Sequence, residues 1–211
     1  MALAEPTTRE QAVTRQKWLT AATIGWNGAE GVIAIAAGLA AGSVSLIGFG
    51  LDSGIEVSAA LILAWRLAQE RRTGCKQEAD RLAQRLIAVS FAALAVYVGV
   101  ESVRDLVLAD RPGQSLVGIV MAALSLATMP LLARAKRRLA PLMGSRAVEA
   151  EANQTILCSL MSGALLVGLG ANTALGWWWA DPLAGLCIAA AAAYAAVATW
   201  RADSLADTCC S

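Results

Sequence analysis

The chain has 211 residues, of which 57% are hydrophobic and only 16% charged, well below the roughly 25% charged residues of a soluble domain. Its charges cluster between long apolar runs, the pattern of an integral membrane protein. A net charge of +1 without a basic face argues against a nucleic-acid partner, and the lack of histidine removes imidazole as ligand, base or proton shuttle.

Residues 1–17 read as a polar cytoplasmic tail, with no cleavable signal pattern. Six apolar segments follow, each near the ~20 residues that a membrane helix needs. The first covers 18–41 and carries Asn27 and Glu30, three apart and facing roughly the same way. Two roles fit Glu30: lining or proton-coupling an ion route, and hydrogen bonding a neighbouring helix.

The second segment, 44–67, holds Asp52 and Glu56 near its middle. A charge at the helix centre costs about 2.5–3.5 kcal/mol on insertion scales. Spacing i, i+4 puts both carboxylates on one face, one turn apart, where like charges repel. A cation between them, or a proton on one of them, resolves that repulsion. The competing reading is a pair buried against arginines, and no arginine is predicted at that depth. Asp52 lies nine residues from Ser43, roughly 14 Å along a helix and near the middle of a ~30 Å core.

The third segment covers 86–108 and the fourth 116–135, with Pro130 near its end. The fifth, 152–175, follows Glu151 and begins with Gln154 and Cys158, again four apart. A thiolate beside carboxylates would favour zinc, cadmium or copper(I) over magnesium or calcium, although a buried free cysteine is often only a small hydrophobe. Cys158 sits nearer the cytoplasmic end of its span than Asp52 does, so the two levels agree only if the fifth helix extends or tilts. The sixth segment covers 181–200, leaving 201–211 as a short tail with Cys209 and Cys210. Residues 18–200 thus form one six-helix transmembrane domain. An odd cysteine count, with Cys158 and Cys187 in apolar spans, argues against a secreted disulfide framework. The absence of C-x-x-C, histidine and any cofactor fingerprint argues against an enzyme and against a bound cofactor.

Fifteen cationic residues flank one side of this arrangement, against Arg104 and Arg111 on the other. The positive-inside rule then makes both termini cytoplasmic. Trp177, Trp178 and Trp179 fall at the outer turn, and Trp18, Trp65 and Trp200 near the cytoplasmic ends, as interfacial anchors do. Trp26 reads as packing. Gly38 with Gly42, and Gly50 with Gly54, are spaced for close helix approach. Arginine outnumbers lysine 14 to 3, a composition associated with GC-rich bacterial genomes.

Three stretches together resemble the cation diffusion facilitator family of metal/proton antiporters. "AGSVSLIGFGLDSGIEV" is similar to that family's passage into its second span, where a small-residue turn precedes an Asp-x-x-x-Asp pair, so that Asp52 and Glu56 fall on the acidic positions. "EAEANQTILCSLMSGALLVG" resembles the fifth-span motif A-D-A-x-H-T-x-x-D, with Glu151 on the first acid, Gln154 on the histidine and Cys158 on the last aspartate. "GWWWADPLAGLCIA" resembles the family's Ala-Asp-Pro start of the sixth span. The sequence departs from the family at Gln154 and Cys158. It also stops about ten residues after the sixth span, so the usual cytoplasmic C-terminal domain is expected to be missing.

The resemblance implies an all-α, six-span transporter of a bacterial inner membrane, exporting a divalent transition metal, zinc first, in exchange for protons. Asp52, Glu56, Gln154 and Cys158 would hold the metal, with Asn27, Glu30 and Glu151 along the pathway or in proton coupling. A homodimer in the lipid bilayer is the family expectation. The alternative is a non-transporting membrane metal sensor or metallochaperone, for which Cys209 and Cys210 would be needed.

Overall fold

A computed structural model describes residues 9–73, 77–143 and 146–201. Those residues form six α-helices in chain order: α1 (Arg9–Ala41), α2 (Val44–Thr73), α3 (Gln77–Leu108), α4 (Leu116–Met143), α5 (Arg146–Leu175) and α6 (Ala180–Arg201). All six are long and apolar enough to cross a membrane. In lipid every backbone N–H and C=O must be paired inside the protein, and a helix does this within one segment.

The turns follow from local chemistry. Gly42 takes the left-handed conformation, with φ 64°, which a residue without Cβ adopts freely. This lets the Ser43 N–H donate back to the Gly38 carbonyl at 3.0 Å, closing α1. Ser43 then caps α2, its Oγ accepting the Leu46 N–H at 3.2 Å. Two residues thus end one helix and start the next. Ser115 caps α4 in the same way, accepting the Gly118 N–H at 3.1 Å.

Five helices overrun their expected spans, all at the end of the bundle that carries the α2–α3 and α4–α5 connections. Hydropathy marks only the apolar part of a helix. Beyond it, stretches such as "QEADRLAQRL" and "LARAKRRLA" are rich in good helix formers and keep the helix going. Helix α4 continues past Pro130 and includes Pro141, since each proline removes one donor while neighbouring helices support the backbone.

Helix α1 packs on α2, α2 on α5, α5 on α4 and α4 on α1, so these four close into a ring. Helices α3 and α6 pair with each other and lean on the ring through α2 and α5. Large apolar side chains such as Val32, Val100, Val107, Leu131, Val167 and Tyr194 face outward, while Gln16, Asn27, Glu30, Asp52, Glu56 and Glu151 are buried. Apolar outside with ionisable groups inside is the pattern of a membrane protein with a functional interior.

The small-residue pairs serve the α1–α2 seam, but only in part. A Cβ on Gly50 would lie 3.0 Å from the Gly31 carbonyl oxygen, and one on Gly38 2.9 Å from the Ile47 nitrogen. Gly42 belongs to the turn, and a Cβ on Gly54 would meet nothing. Trp177 and Trp179 are exposed in the α5–α6 connection and Trp200 near the end of α6, while Trp18 is exposed more than two turns inside α1. Trp177 and Trp179 stack with centroids 5.1 Å apart, and the Arg85 guanidinium lies 5.9 Å from the Trp200 ring centre. The side chain of Trp65 lies outside the described set, and Trp26 is half-buried against the core.

Candidate cation site

The interior of the ring is polar because each helix brings a polar stripe to it. On α1 the buried positions Gln16, Thr20, Thr23, Asn27 and Glu30 recur every three or four residues, which is one helix face. On α2, Asp52 and Glu56 share the inward face with Ser53. On α5, Glu151, Thr155, Cys158 and Ser162 do the same.

Asp52, Glu56 and Cys158 come together. The Cys158 thiol is buried and lies near the carboxyl groups of both Asp52 and Glu56. Helix α5 starts at Arg146, earlier than the fifth span read from hydropathy, so Cys158 lies about three turns inside it. Glu56 accepts a hydrogen bond from the Thr155 hydroxyl at 2.8 Å through Oε1, while its Oε2 is buried with no partner.

Glu30 joins the same group from α1. Its Oε2 accepts from Ser53 at 3.1 Å, and it acts electrostatically on Asp52. Its other oxygen has no hydrogen-bond partner, nor does either polar atom of the buried Asn27 side chain. Ser125 and the Trp26 indole stand around Glu30. Gln154 is half-buried one turn before Cys158, and its buried amide nitrogen has no partner. Among the described residues no three Cys, Asp or Glu side chains converge closely enough to hold a metal as they stand. Ligation by this set therefore requires α2 and α5 side chains to close inward.

Glu151 sits in a second cluster, one turn from the first. It pairs with the ammonium of Lys136 at 2.9 Å through Oε1 and accepts from Gln16 Nε2 at 3.0 Å through Oε2. Lys136 also donates to Thr155 Oγ1 at 3.2 Å. These contacts correct one expectation and add to another. The charge pattern places Lys136 in the exposed basic connection after the fourth span, yet it is fully buried on α4. The carboxylates do have a cation near them, a lysine rather than an arginine. The sequence reading also misses Thr155 and Gln16. For Lys136 a signal exists: Gly118, Ala122, Ser125, Met129, Ala133, Lys136 and Ala140 repeat at three- and four-residue steps, and from Ala122 onward all of them are buried, so Lys136 falls on the inward stripe of α4.

The Ala-Asp-Pro motif lies elsewhere. Asp181 is buried in the first turn of α6 and accepts hydrogen bonds from Ser43, at 2.8 Å, and from Ser45. It ties α6 to the α1–α2 turn, and an acid there suits the helix N-terminus. Cys209 and Cys210 lie outside the described residues, and Cys187 is exposed on α6.

A family model described as the cation efflux transmembrane domain matches residues 22–205, nearly the whole chain. No individually curated protein matches it.

Proposed function

The chain belongs to the cation efflux family, a family of membrane cation transporters, and from that premise we propose that it exports a divalent transition metal, zinc first, in exchange for protons. The observation that carries this reading is the meeting of Asp52 and Glu56 on α2 with Cys158 on α5 inside the ring. Two carboxylates and a thiol form a donor set suited to a borderline-soft ion such as zinc or cadmium.

The ion enters from the cytoplasm, where both termini lie. It draws Asp52, Glu56 and Cys158 inward, with Gln154 as a neutral fourth donor or an orienter. Ligands must lose their protons to bind metal, so loading releases protons inward. After the ring opens to the far side, protons from that side take back the same donors and release the metal. Glu30, near Asp52, and Asn27, one turn before Glu30 on α1, are both buried with unpaired polar atoms and line this route. Two copies of the chain form the working unit in a bacterial inner membrane.

Purified protein in liposomes that trap a pH dye tests this reading. Wild type is expected to take up zinc saturably with opposing proton movement, and Asp52→Ala to lose both by about 100-fold. Zinc binding without flux of any metal would instead favour a sensor or metallochaperone.

A further inference from the structure

A fully buried ammonium is costly unless it is paired and hydrogen bonded. Lys136 forms an ion pair with Glu151, Nζ to Oε1 at 2.9 Å, and donates a hydrogen bond to Thr155 Oγ1 at 3.2 Å. That hydroxyl in turn donates to Glu56 Oε1 at 2.8 Å. A hydroxyl has one hydrogen and two lone pairs. With the hydrogen aimed at Glu56, its lone pairs face Lys136, so the bonds run from ammonium to hydroxyl to carboxylate. The same hydroxyl also lies 3.0 Å from the Glu151 carbonyl oxygen on its own helix. Thr155 therefore has two acceptors and can serve only one at a time.

We propose that Lys136 is a resident cation of the ion site, coupled to Glu56 through Thr155, that balances the charge of the empty site and limits how tightly it holds metal. The inference rests on the transport reading above and adds to it. In the empty site Thr155 donates to Glu56 under the field of Lys136. When an incoming metal takes the Glu56 carboxylate, the Thr155 hydrogen turns to the Glu151 carbonyl, and the link is broken. Lys136 keeps its bond to Glu151 throughout. Its positive charge then opposes the bound metal and speeds its release. Gln16, which donates to the other oxygen of Glu151, keeps that carboxylate turned towards Lys136.

The test pairs equilibrium binding of zinc ion to the full chain in lipid nanodiscs with zinc flux in liposomes. Lys136→Gln is expected to bind zinc about tenfold tighter, the order of effect of one unit charge beside the site, and to turn over about tenfold more slowly. Lys136→Arg keeps the charge and should return affinity and turnover to within about threefold of wild type. Thr155→Val leaves the ion pair in place but cuts the link, and should tighten binding about threefold. It decides the matter if Lys136→Gln does not assemble. Binding that is unchanged or weaker in both Lys136→Gln and Thr155→Val would overturn the role of Lys136 while leaving the transport reading intact. Wild type that neither binds nor carries zinc would overturn both.

Discussion

Cys158 is the residue by which the proposed site departs from the motif that the sequence resembles, in which an aspartate is expected. A soft sulfur donor should favour cadmium over harder ions. Cys158→Asp is therefore expected to lower the cadmium-to-zinc ratio of initial transport rates about tenfold while retaining zinc flux, as competing uptake of the two metals would measure. An unchanged ratio would make the thiol a packing group. The burial of Asp52, Glu56 and Cys158 in the interior was legible in the sequence because a carboxylate pair in an apolar run is costly when it faces lipid, and the motif order pointed to the thiol. Lys136 and Thr155 were not. A lysine among Arg134, Arg137 and Arg138 looks like one more topogenic charge, and only the continuation of α4 through residue 143 turns it inward.

At the scale of the helices, the α1–α2 seam sets the position of Asp52. Gly31 and Gly50 let the two backbones touch, and Asp52 follows two residues after the contact. Gly50→Ala puts a Cβ 2.7 Å from the Ile35 side chain and 3.0 Å from the Gly31 carbonyl oxygen. Such overpacking typically costs about 1–3 kcal/mol, and here it also moves Asp52. Gly54→Ala meets open space and should be neutral or stabilising by up to about 1 kcal/mol, since alanine favours a helix interior over glycine. Denaturant titration in detergent, read beside zinc uptake, separates the two. The sequence identified both glycine pairs but not which members touch, because G-x-x-x-G spacing specifies a face and leaves its neighbour open. It likewise found all six spans yet cut five helices short, because a hydropathy window ends where polarity begins while helix propensity does not.

At the scale of the molecule, four helices enclose the polar track while α3 and α6 stand beside them. An ion can cross such a body only if the ring opens at alternate ends. By the positive-inside rule the basic connections are proposed to face the cytoplasm, and that proposal predicts labelling. In a chain without native cysteines, one introduced at Asp110, in the α3–α4 connection, should react with an impermeant thiol reagent in intact cells. One at Leu142, near the end of α4, should react only after permeabilisation. The reverse pattern would invert the direction of transport. The central claim is that α2 and α5 close on one ion, and the most direct measurement is zinc-edge X-ray absorption of the loaded protein with Cys75, Cys187, Cys209 and Cys210 replaced by serine. The account predicts one sulfur at about 2.3 Å with oxygen donors at about 2.0–2.2 Å, the sulfur vanishing in the further variant Cys158→Ser. A shell of light donors alone, with Cys158 intact, would contradict it.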